Sequence, residues 1–63
     1  MPLVLETPKE LASSVAERVR TERLTRGSTQ AQLAARAGMP LMTYRLFERT
    51  GQISLERLLS IVI

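Results

Sequence analysis

The sequence contains no histidine, cysteine, aspartate or tryptophan, and it has one tyrosine and one phenylalanine. Each absence removes a class of chemistry. Metal sites are built from His, Cys or clustered carboxylates, and acid–base or nucleophilic catalysis draws mainly on the same side chains. The serine and threonine hydroxyls have no imidazole to activate them. No catalytic residue, no metal site and no cofactor is therefore expected. Without cysteine there is no disulfide to brace a small fold, which fits a reducing cytoplasm. No run of 18 apolar residues is present, so no membrane span is expected. The start, Met1-Pro2-Leu3-Val4-Leu5-Glu6, lacks the basic stretch of a signal peptide.

At 63 residues the chain makes one domain, residues 1–63, with residues 1–6 as an N-terminal arm. A domain this small buries roughly 60% of its unfolded surface, so its stability is marginal. Nine basic residues stand against six acidic ones, a net charge of +3, and eight of the nine are arginine. Arginine offers a planar fork of donors that matches phosphates and guanine edges. An excess of this size is also what solubility alone produces.

The pattern along the chain is helical throughout. Thr7-Pro8-Lys9-Glu10 is a helix start: a capping Thr, a Pro at the first helical position and a Glu placed to close a capping box. Leu11, Val15 and Val19, flanked by Ala12 and Ala16, form an apolar stripe, and Arg26-Gly27 marks the end. Thr29 and Gln32 repeat the box ahead of a short helix with Leu33, Ala34 and Ala37 on one face, and Gly38 stops it. Pro40 opens a third helix in which Tyr44 and Phe47 share a face with Met39, and Gly51 stops that one. Ser54 caps a fourth, with Leu55, Leu58, Leu59 and Val62 at i, i+3, i+4, i+7 and Ile53 and Leu58 placed for a hydrophobic staple. Helices are predicted near 8–25, 30–37, 41–49 and 54–62. The fold class is all-α with no sheet. Ile61, Val62 and Ile63 remain apolar to the last position, as expected of a fragment or of a surface packed on another molecule.

Counting twenty positions from Gln30 exposes a more specific arrangement. Ala34 is fifth, Gly38 ninth, Met39 tenth, Tyr44 fifteenth and Phe47 eighteenth. A small fifth residue lets two helices cross closely, and a ninth-position glycine supplies positive φ at no steric cost. The three apolar anchors leave the opposite face of the second helix free.

With Arg23-Leu24-Thr25-Arg26-Gly27-Ser28-Thr29-Gln30-Ala31-Gln32-Leu33-Ala34, then Ala37-Gly38 and Phe47-Glu48-Arg49-Thr50-Gly51, the chain resembles the phage-repressor and Cro helix-turn-helix family. The resemblance covers roughly Leu11 to Val62. It implies a compact DNA-binding domain with four helices, where the family has five, and a helix-turn-helix core at 29–50. It also implies a sequence-specific regulator, a repressor binding double-stranded DNA as a homodimer. Thr29 and Gln30 match the place where such proteins grip a phosphate at a helix N-terminus. Leu41, Met42, Thr43, Arg45 and Leu46 match base- or phosphate-contacting positions, and Arg49 follows one turn later on the same side. Glu48 matches a position with a structural role.

Departures from the family pattern are equally specific. On a 100° wheel Met42, Arg45, Leu46 and Arg49 lie opposite Tyr44 and Phe47, and two of these four are apolar. Apolar side chains can meet thymine methyls, or they can bind a protein. The alternative reading is therefore a protein-interaction module or an antitoxin whose partner is a toxin. Ser28 stands where the family has Leu, and Glu22 where a small apolar residue is usual; both are expected to loosen the packing of the first two helices. Tyr44 is expected in the core with its hydroxyl reaching the surface. Arg18, Arg20 and Arg26 read as solvated helix-face charges.

Overall fold

The computed structural model describes residues 7–63, which form four α-helices with no strand among them. The N-terminal arm expected over residues 1–6 lies outside the described residues.

Helix α1 spans Pro8–Thr25. Its start is the expected capping box: the Glu10 amide donates to Thr7 Oγ1 at 3.1 Å and the Thr7 amide to Glu10 Oε1 at 2.9 Å. Two of the four first-turn donors that an α-helix leaves unpaired are thereby satisfied. The helix closes at Arg26, and Gly27 follows in the left-handed region. Helix α2, Gln30–Ala37, carries a second capping box between Thr29 and Gln32 and ends on Gly38, whose φ is 72°. Helix α3, Leu41–Thr50, begins after Pro40, which occupies the cap position without a side-chain hydrogen bond. Helix α4, Leu55–Val62, is capped by Ser54, which accepts from the Arg57 amide at 3.2 Å. The predicted helices thus all form, within a residue of their expected ends.

The core is Ala16, Leu33, Ala34, Met39, Tyr44, Phe47 and Ile61, with Val19, Ala37, Leu41, Ile53 and Leu58 packed against it. Helix α3 is central: both α1 and α2 pack on it, and α2 in turn carries α4. Among the described residues no helix is long and apolar enough to cross a membrane.

Two of the expected faces are turned. Leu11 is 52% exposed rather than inward. The contact line of α1 runs one residue further round, through Ala12, Ala16, Val19 and Arg23, none of which is exposed. The reason lies in Gly51, where a Cβ would sit 2.7 Å from the Ala12 carbonyl carbon and 2.9 Å from the Ser13 nitrogen. The backbones meet there, and only small residues fit between them.

On α4 the inward pair is Leu58 and Ile61, while Leu55 is 71% exposed and Leu59 and Val62 are exposed as well. Outside the polar face of Glu56, Arg57 and Ser60, apolar residues cover more than half of the helix circumference, so periodicity left two possible inward sides; docking on α2 chose between them. Arg36 Nη2 secures it by donating to the Ile61 carbonyl at 2.9 Å.

Candidate nucleic-acid interface

The candidate surface is the outer side of α3 together with the N-terminus of α2. Tyr44 and Phe47 lie fully within the core, their rings 6.1 Å apart and tilted by 60°. Burying them fixes the rotation of α3, because residues three and four apart share a face of a helix. Met42, Arg45, Leu46 and Arg49 are consequently exposed. Leu41 and Thr43 are half-buried, and Leu41 leans on the core.

Thr29 is exposed and spends its hydroxyl on the Gln32 amide, while its own amide donates to Gln32 Oε1 at 2.8 Å. The first-turn amides of Gln30 and Ala31 have no intrahelical acceptor, and the helix dipole adds a partial positive charge there. The Gln30 side chain is half-buried and points toward α3. Its Oε1 accepts from Arg45 Nε at 3.3 Å and its Nε2 donates to Glu48 Oε1 at 3.0 Å. Seven of the eight candidate residues therefore lie on α3 or at the first position of α2, and Gln30 with Arg45 bridges the two groups.

Behind this surface lies a buried ion pair that the sequence reading did not identify. Arg23 Nε donates to Glu48 Oε2 at 2.7 Å and Arg23 Nη2 to Glu48 Oε1 at 3.2 Å, a bidentate contact. The two side chains are 9% and 5% exposed. The Tyr44 hydroxyl donates to the same carboxylate, so it turns inward instead of reaching the surface. Arg23 Nη1 reaches the Ser28 carbonyl at 2.9 Å. This charge-assisted hydrogen bond ties the end of α1 to the connection into α2, while α1 and α2 themselves, whose packing Ser28 and Glu22 were expected to loosen, are not among the closely packed helix pairs. Glu22 lies on the exposed side and pairs with Arg26 at 3.3 Å.

Every buried polar side-chain atom among the described residues has a partner. That condition makes a buried charge tolerable. Burial pushes the Glu48 carboxyl up, but hydrogen bonds from Arg23, Tyr44 and Gln30 outweigh it and hold the group below its ordinary range. The same contact raises Arg23, chiefly through its hydrogen bond to Glu48. Tyr44 is raised first by burial and then by the neighbouring Glu48 carboxylate.

Half of this arrangement carried a sequence signal. Glu48 falls 40° from Tyr44 on the helical wheel, a charge on the buried face that requires a cation. Nothing local singles out Arg23, which lies 25 positions away.

No family model matches this chain, and no curated protein or solved structure matches it.

Proposed function

We propose that the chain is a sequence-specific DNA-binding transcriptional regulator, a repressor of the phage-repressor type with its helix-turn-helix at residues 29–50. In this reading α3 enters the major groove, α2 grips a phosphate with its N-terminus, and two copies act together on a palindromic operator in the cytoplasm.

The observation that carries the reading is the rotation of α3. Its aromatic anchors are buried, while Arg45 and Arg49 stand exposed on its far side, and Arg45 reaches Gln30 at the head of α2. A helix of 10 residues fits the groove, which is about 12 Å wide. Apolar Met42 and Leu46 on the same face suit thymine methyl groups. A homodimer is supported by the uncovered apolar side of α4, since exposed apolar patches mark interfaces.

The test is a gel-shift series with the full chain, across salt concentrations, on duplexes selected from a random-sequence pool. Arg45→Ala and Arg49→Ala are compared with the parent. An arginine on a phosphate, when removed, lowers the slope of log K against log salt by about one and weakens all sequences alike. An arginine on a guanine costs about 1–3 kcal/mol and relaxes one base position. Parent-like binding by both variants overturns the assignment of α3.

The second reading, a protein-interaction module or antitoxin, is favoured by the exposure of Met42 and Leu46. A chain that binds no selected duplex yet loses a protein partner on Met42→Ser would establish it.

A further inference from the structure

Gln30 stands between the buried ion pair and the exposed Arg45, and its amide has only one workable orientation. The Glu48 carboxylate offers lone pairs alone, and it already accepts from Arg23 Nε, Arg23 Nη2 and the Tyr44 hydroxyl. An ionised carboxylate has no hydrogen to give, so the –NH2 of Gln30 must face it. The amide oxygen is then turned outward, where it accepts from Arg45 Nε. The opposite orientation sets oxygen against carboxylate and –NH2 against guanidinium, two repulsive contacts in place of two hydrogen bonds. The buried charge thereby dictates which atom is presented on the surface, two contacts away.

We propose that Gln30 is a positioning residue for Arg45 in the DNA reading described above, on which this inference rests. Its oxygen takes the Nε–H and limits the freedom of a long exposed side chain. The four Nη hydrogens are left for a ligand, and they form the end-on fork that meets a guanine edge or a phosphate. Among the described residues Arg45 makes no other side-chain hydrogen bond. A lysine at this position would have to meet the Gln30 oxygen and the ligand from a single nitrogen, without the planar fork that separates the two contacts. The ordering is expected before DNA arrives, so part of the entropy of immobilising Arg45 is already lost in the free protein.

The experiment has an arm without DNA and an arm with it. In the 15N-labelled full chain the Arg45 Nε–H signal should exchange with water more slowly than that of Arg49, and Gln30→Leu or Gln30→Ala should abolish the difference. Equal exchange for the two arginines in the parent overturns the inference without any variant. On a duplex selected by the parent from a random-sequence pool, Gln30→Ala should weaken binding about tenfold, the loss of one hydrogen bond to a charged group.

The same substitution in the Arg45→Ala background should have little further effect. If the two losses multiply instead, Gln30 does not act through Arg45, and the inference fails while the DNA reading stands. If the parent selects no duplex, or Arg45→Ala binds like the parent, the DNA reading itself fails and takes this inference with it.

Discussion

At the scale of single residues the molecule is organised by Glu48. Four donors converge on its two oxygens: Nε and Nη2 of Arg23, the Tyr44 hydroxyl and Gln30 Nε2. Removing one member of a buried pair leaves the other charge uncompensated, at about 3–5 kcal/mol. For a domain whose total stability is of order 5 kcal/mol, Glu48→Ala is expected to leave the chain largely unfolded at 37 °C. Glu48→Gln, which keeps shape and an acceptor, should be milder.

The pH dependence follows from the direction of the shift. Glu48 is lowered in the folded state, so its stabilisation is fully present above the unfolded glutamate pKa of about 4.3. It is lost as pH falls through the folded value. Glu10 is lowered too, by its hydrogen bonds to Thr7, and acts in the same direction at an exposed site. The melting temperature should hold between about pH 5 and 7 and drop steeply below pH 4. Glu48→Gln should start lower and flatten that drop, as read by circular dichroism melts. A parent and variant with parallel acid profiles would mean that the pair contributes nothing.

At the scale of elements, two glycines with the same left-handed backbone do different jobs. Gly38, with φ of 72°, has open space around the position a Cβ would take. Gly51, with φ of 82°, has the Ala12 and Ser13 backbone within 3 Å of it. Gly38→Ala therefore meets only the intrinsic penalty of left-handed geometry, about 1 kcal/mol, and a bulky Gly38→Val somewhat more. Gly51→Ala carries that penalty and must also push α1 off α3, with loss of the packing around Ala12 and Ala16. Urea unfolding should show Gly51→Ala to be the more damaging by at least about 1 kcal/mol. Equal losses would show that α1 yields at that crossing without resistance.

The α-helix starts behave more simply. Thr7 and Thr29 both find the partner three residues on that the capping box requires, since both groups belong to one turn of chain.

At the scale of the whole molecule, the outstanding feature is the uncovered side of α4. Leu55, Leu59 and Val62 repeat at helical spacing and all are exposed. Under the proposed function this side pairs with a second copy, setting two recognition helices about 34 Å apart on one face of the duplex. Sedimentation of the full chain at micromolar concentration should give a dimer. Leu59→Glu should give a folded monomer that binds a half-site no worse than a palindrome. A parent that sediments as a monomer, and binds half-site and palindrome equally, ends the homodimer proposal.

What the sequence determined by itself was everything that depends on neighbours within a few positions. Caps, glycine stops and apolar spacing defined four helices and their ends, because these interactions act within one or two turns. The outward set on α3 was legible for the same reason: Tyr44 and Phe47 are both apolar, and their opposite face has to be what remains. Only the tertiary structure decided which side of α1 and of α4 turns inward. Both helices carry apolar residues on adjacent rows, and close backbone approach at Gly51 and docking on α2 made the choice. It also decided that Arg23, rather than any other of the eight arginines, answers Glu48. A buried carboxylate selects its cation by distance in space, and that distance is set by how α1 crosses α3.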